Sequence, residues 1–133
     1  RQEINSKASE ILLDTIPKEN IFNESILDFL PNRKWDLVLI KGVLIHLNPD
    51  YLKHVYQTLI DSTLRYLLIC EYYNPTPIKI SYRGNEDKLY KRDFAGEILD
   101  IFPETELVDY GFTYYKDPSF PQDDINWFLI KKK

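Results

Sequence analysis

The apolar positions of this chain follow two kinds of pattern, and their order predicts an α/β fold. Trp35 to Ile40 (WDLVLI) is a nearly unbroken apolar run with Asp36 near its start and Lys41-Gly42 at its end. A run this short and branched suits a strand buried on both faces, as in a parallel sheet covered by helices. Leu64 to Glu71 (LRYLLICE) is a second such run, expected beside the first and joined to it by a right-handed crossover. Between them the period changes. Leu52, Val55, Tyr56, Leu59 and Ile60 recur at i, i+3, i+4, i+7 and i+8, the stripe of an amphipathic helix, with Asn48 as its cap and Pro49 at its first position.

The flanks are patterned more weakly. Glu3 to Ile16 reads as a helix, capped by Asn5 or Ser6, with Ala8, Ile11 and Leu12 on one face and Pro17 as its stop. Asn20 to Ile26 is a short strand candidate. Pro75, Pro77 and Gly84 mark Tyr72 to Lys88 as a long loop, with a β segment at Ile78 to Tyr82; loops of this length in a compact domain are often lids or binding loops. Lys91 to Phe102 returns to helical spacing and ends at Pro103. Glu106 to Tyr114 and Ile125 to Lys132 read as strands around a Pro- and Asp-rich connection. The order fits one α/β sandwich domain over residues 1–133. It leaves the outer edge of Trp35 to Ile40 unpaired, so either Asn20 to Ile26 is expected to pair there or two chains are, as a homodimer.

Composition narrows the function classes. A chain of 133 residues, 44% hydrophobic and 29% charged, is long enough for one core and ordinary for a soluble globular protein. A net charge of −4 without a basic stripe argues against nucleic acid. No apolar run approaches the roughly 20 residues of a membrane span, and the one cysteine, Cys70, cannot form an internal disulfide. A cytoplasmic protein is the plain reading. Two unclustered histidines and one cysteine give no metal site; Asp117 with Asp123-Asp124 is too little for a ligand set. There is no phosphate-binding loop, dinucleotide fingerprint or Ser/His/Asp triad. In open α/β sheets ligands sit beyond the carboxyl ends of the strands, which puts the expected site at Lys41 to His46.

The string WDLVLIKGVLIHL resembles the fourth-strand motif of class I S-adenosylmethionine-dependent methyltransferases. ICEYYNPTP, SYRG, KRDFAGEILD, DYGF and DPSFPQDDINWFL are similar to one branch, the methylases associated with pseudaminic acid biosynthesis, and the likeness runs from Glu3 onward. The resemblance implies a Rossmann-like sheet flanked by helices, with an antiparallel last strand between Leu64 to Glu71 and Glu106 to Tyr114. It implies S-adenosylmethionine as cofactor and a small-molecule acceptor, a sugar or nonulosonate-pathway compound. The four glycines, Gly42, Gly84, Gly96 and Gly111, form no G-x-G-x-x-G cluster, and the chain holds no methionine. The first strand and glycine-rich loop of such a fold are therefore expected to be missing. On this reading the chain is the C-terminal portion of a methyltransferase domain, inactive by itself.

The same resemblance suggests roles. Glu3 matches the acid that accepts hydrogen bonds from the cofactor ribose, an exposed terminal glutamate being the plainer alternative. Ser25 and Ile26 match the adenine loop, with Glu24 or Asp28 as acceptors; capping and core packing explain them as well. Lys41, Gly42 and Val43 match the turn along the methionine portion, where positioning matters more than strong acids or bases. His46 is the candidate base, and a structural histidine is the alternative. Tyr72, Tyr73, Asn74 and Arg83 on one loop, and Asp123 and Asp124 on the other, are candidates for substrate recognition, with Lys79, Tyr82, Asp117 and Gln122 beside them. Solvated, turn-rich loops account for the same composition. The rival function is a non-catalytic α/β binding or dimerisation module. A Rossmann-type oxidoreductase or epimerase is disfavoured, since no Tyr-x-x-x-Lys pair is suitably placed.

Overall fold

The computed structural model describes residues 2–81 and 88–133. The chain divides into two compact units, Arg1–Leu30 and Pro31–Lys133. In the first unit, helix α1 spans Gln2–Leu12. It ends at Leu12, short of the predicted Ile16. Leu13 to Ile16 close as a turn, the Ile16 N–H donating to the Leu12 carbonyl at 2.7 Å. Asn5 and Ser6 lie inside α1 rather than capping it. A 3-10 turn follows at Lys18–Asn20.

The strand expected at Asn20 to Ile26 does not form. Ser25 curls the chain instead: its hydroxyl accepts from the Leu27 N–H at 3.2 Å, and its carbonyl accepts from Asp28 and Phe29 at 3.0 Å. A serine that bonds its own downstream backbone competes with extended structure. Phe22 and Phe29 meet edge to face across this turn, 5.7 Å between centroids.

The second unit holds a four-stranded sheet of β1 (Trp35–Lys41), β2 (Thr63–Glu71), β5 (Thr105–Thr113) and β6 (Ile125–Lys132). Their order is β1-β2-β6-β5, with β1 and β2 parallel and β6 antiparallel to both its neighbours. The last strand is thus inserted where the methyltransferase resemblance implied. Helix α2 (Leu52–Ser62) connects β1 to β2, preceded by 3-10 turns at Leu44–His46 and Pro49–Tyr51. Asn48 accepts from the Asp50 N–H with its side chain, as a cap should. A hairpin of β3 (Ile78–Ser81) and β4 (Lys88–Lys91) takes up part of the predicted loop. Helix α3 (Phe94–Ile101) therefore starts later than predicted, where Asp93 accepts from the Gly96 N–H at 2.8 Å.

The core lies on one face of the sheet. Ile40, Leu67, Ile69 and Ile130 are buried there with Val55, Tyr56, Leu59 and Ile60 of α2 and Phe94 and Ile98 of α3. Tyr56 donates to the Glu97 carboxylate at 2.6 Å, which also accepts from Arg92, so a part-buried polar link joins α2 to α3. Lys132 donates to the Ile60 and Thr63 carbonyls at the C-terminal end of α2, where a cation suits the orphan carbonyls.

The opposite face departs from expectation. Leu37 and Leu39 are 54% and 58% exposed, so β1 is buried on one face and not on two. Among the described residues of this unit no helix lies on that side, and Leu37, Leu39, Tyr66, Leu68, Trp127 and Leu129 line an open groove of about 710 Å³. The outer edge of β1 has no strand partner among the described residues.

A bulge between Leu107 and Asp109 lets β5 change which residues face the groove. Beyond it Gly111 sits opposite Trp127, and a Cβ there would come within 2.6 Å of the indole. Gly111→Ala is therefore expected to displace the ring and cost about 1–3 kcal/mol. Urea unfolding with tryptophan emission checks this; wild-type stability in the variant would contradict the packing described.

Candidate functional site

The carboxyl ends of the parallel strands carry the turn that the sequence singled out. β1 ends at Lys41, and Gly42 takes the left-handed conformation (φ 62°), which only glycine adopts without strain. No heavy atom lies within 4 Å of the point where a Cβ on Gly42 would stand, so the turn faces open space. The Gly42 N–H donates to the Cys70 carbonyl of β2 at 3.0 Å. The next three amides are held by one side chain. Glu71, the last residue of β2 and only 3% exposed, accepts from Val43 and Leu44 through Oε1 at 2.9 and 3.0 Å, and from Ile45 through Oε2 at 3.4 Å.

Four successive amides, 42 to 45, are thus satisfied from the end of β2. The arrangement resembles a helix N-terminus with a carboxylate seated on it, here across two strands. Burial pushes the Glu71 carboxyl above the ordinary carboxylate range, against the pull of its three N–H donors, and burial wins.

The connection from β5 to β6 reaches the same place. Lys41 Nζ donates to Gln122 Oε1 at 2.6 Å. That connection is braced from within: Thr113 donates to the Asp123 carbonyl at 2.8 Å, and Asp124 accepts from the Tyr115 N–H at 3.0 Å. Asp117 accepts from the Ser119 and Phe120 amides, which hold its carboxyl below the usual range. Past the end of β2, Asn74 donates to Thr76. The Lys91 ammonium lies 5.0 Å over the Tyr72 ring. Tyr73 lies 5.9 Å from Phe128, which stacks on Tyr110 at 6.5 Å, giving a row of rings.

The sequence-derived candidates therefore separate. Lys41, Gly42 and Val43 form the turn at the end of β1, with Gln122 against Lys41, while Tyr72, Tyr73 and Asn74 follow the end of β2. Asp124 and Asn74 each have a polar atom committed to their own loops, and Asp123 lends its carbonyl. His46 is exposed on the 3-10 turn, and no hydrogen bond among the described residues orients its imidazole as a base would need. Ser25 and Ile26 belong to the first unit, Ser25 exposed with its hydroxyl engaged by Leu27. Glu3 is helical in α1 and not at a strand end; its side chain lies outside the described residues, as do Tyr82 and Arg83. Glu71 was missed, because a charged residue closing an apolar strand reads as the start of a loop.

Among the described residues no group of three or more His, Cys, Asp or Glu side chains is placed to hold a metal ion. No described helix is long and apolar enough to cross a membrane.

No protein-family model and no curated protein matches this chain. Solved structures do. A S-adenosylmethionine-dependent methyltransferase from Leishmania major superposes with a TM-score of 0.69 at 15% identity, covering 97% of this chain and 51% of its own. The 1,6-didemethyltoxoflavin-N1-methyltransferase of Burkholderia thailandensis, with 1,6-didemethyltoxoflavin and S-adenosylhomocysteine bound, gives 0.66 at 11%, covering 84% and 50%. The glycopeptide N-methyltransferase MtfA, also complexed with S-adenosylhomocysteine, gives 0.64 at 9%, covering 96% and 69%. The fold is that of the class I methyltransferases. The chain spans about half the length of the first two. In such a fold, the turn after β1 stands at the carboxyl edge of the sheet, where α/β proteins take their ligands.

Proposed function

We propose that this chain is the C-terminal part of a S-adenosylmethionine-dependent methyltransferase acting on a small molecule, a sugar or nonulosonate-pathway compound. The observation that carries the reading is the Lys41–Val43 turn, open beyond Gly42 and rigidly seated on Glu71, at the ligand end of a sheet whose structural neighbours are methyltransferases. When bound, the sulfonium cofactor supplies an activated methyl group. The residues here fit it in a particular way. The amides of residues 42 to 45 are already engaged, so the turn offers the side chains of Lys41 and Val43, the space beside Gly42, and carbonyl oxygens. Carbonyl dipoles suit a cationic donor better than N–H groups do.

This chemistry asks for positioning above all. Lys41 and Gln122 tie the β5–β6 connection to the turn, and Tyr72 and Tyr73 supply ring faces for a sugar to stack on. Arg83 in the β3–β4 connection, Asp123, and the roles of Glu3, Ser25 and Ile26 toward ribose and adenine are part of the same proposal, with His46 as the base.

Calorimetric titration of S-adenosylhomocysteine tests it, with this 133-residue chain and a longer product of the same gene extended upstream. Binding is expected to the longer chain alone. A second reading, a non-catalytic binding or dimerisation module, is favoured by the exposed Leu37 and Leu39 and the unpaired edge of β1. Sedimentation as a dimer with no binding in either chain would decide for it.

A further inference from the structure

Glu71 is a carboxylate where a neutral residue is less costly. It is 3% exposed, and no ion pair engages it among the described residues. The small cavity beside it is lined by Tyr72, Tyr73, Phe94, Ala95, Phe128 and Arg92, and Arg92 is committed to Glu97. A buried carboxylate without a cation is tolerated only when hydrogen bonds saturate it. Here all three go to a single stretch, Val43 to Ile45, which lies 26 to 28 residues earlier in the chain. The packing of α2 and α3 makes no use of the charge. A glutamine of the same shape would keep one acceptor oxygen but set an NH₂ group against one of the amides. The charge therefore serves the turn.

We infer that Glu71 is a positioning residue, holding Val43 to Ile45 in the one conformation that a methyl donor meets at the end of β1. The inference rests on the methyltransferase reading above. Rigid support behind a binding turn matters because misplacement by about 1 Å can cost on the order of 100-fold in rate.

Two measurements test it. Amide hydrogen exchange in the 133-residue chain, wild type against Glu71→Gln, is expected to show Val43, Leu44 and Ile45 exchanging at least tenfold faster, with Leu67 to Ile69 unchanged. Equal rates at 43 to 45 overturn the clamp. In the upstream-extended chain, the Gln variant is expected to bind S-adenosylhomocysteine about tenfold more weakly. Glu71→Asp keeps both oxygens one methylene short and is expected to fall in between, an ordering that general loosening does not produce. It also serves if the Gln variant fails to fold. Undiminished affinity alongside faster exchange overturns the positioning role. If the extended wild type binds nothing, the methyltransferase reading fails and the donor role falls with it, while the exchange rates still decide whether the clamp exists.

Discussion

Tyr56→Ala is expected to lower the unfolding free energy by about 3–5 kcal/mol, as aromatic truncations in a core do. Tyr56 is 1% exposed at the centre of the α2 stripe, among the largest fully buried side chains of the core. Its hydroxyl is committed as well. Glu97 accepts from Tyr56 through Oε2 and from Arg92 through Oε1, so one carboxylate links α2, α3 and the segment before α3. Burial, and after it the bond to Glu97, raise the phenol far above its ordinary pKa, keeping it a neutral donor at every working pH. Tyr56→Phe keeps the ring and removes the donor, and is expected to cost about 1–2 kcal/mol. The difference between the two variants measures packing. A cycle of Tyr56→Phe with Glu97→Gln, read by urea unfolding, isolates the link. If the phenylalanine variant is as damaging as the alanine one, the ring contributes nothing and this account of the core is wrong.

What could be read from the sequence follows from where the information resides. The change of period from WDLVLI to the α2 stripe and back to LRYLLICE is local, and the structure places β2 at Thr63–Glu71 against an expected Leu64 to Glu71. The turn at Lys41-Gly42 was legible for the same reason, being a strand end, a glycine and a helix cap in succession. Other features depend on partners distant in sequence. Burial of Leu37 and Leu39 on both faces requires a layer that this unit does not supply. At Asn20 to Ile26, a local serine turn overrode an apolar pattern of marginal length. Lys88 to Lys91 is only four residues long, too short for its alternation to be told from noise. Asn74 and Asp124 show a further ambiguity: amides and carboxylates that suit a ligand also suit the loop's own backbone, and the structure uses them for the backbone. Glu71 leaves the faintest trace, because its partners are amides, and amides are the same in every sequence.

At pH 4, Glu71→Ala is expected to cost about 3 kcal/mol or more, since three amides lose their acceptor at roughly 1 kcal/mol each. Glu71→Gln is milder, and its effect depends on pH with a definite sign. Burial raises the Glu71 carboxyl in the folded chain above its unfolded value of about 4.3, so folding takes up a proton between the two. The stability associated with that proton is complete below the unfolded value and is lost as pH rises through the folded one. Glutamine does not titrate. The Gln variant should therefore gain on the wild type as pH climbs from 4, and the difference should level off once the folded-state value is passed. Arg92 is tied to Glu97 throughout, and the rings of Tyr72 and Tyr73 line the small cavity beside Glu71. The Cys70 thiol, raised by burial and by the charge of Glu71 against the pull of Lys41, titrates above its ordinary range and so outside the window. Thermal melts of both chains between pH 4 and 8 provide the comparison. A gap that stays constant would mean that the three amides only offset burial; one that widens in favour of the wild type would mean that they outweigh it, and the charged clamp would then stabilise the fold instead of straining it.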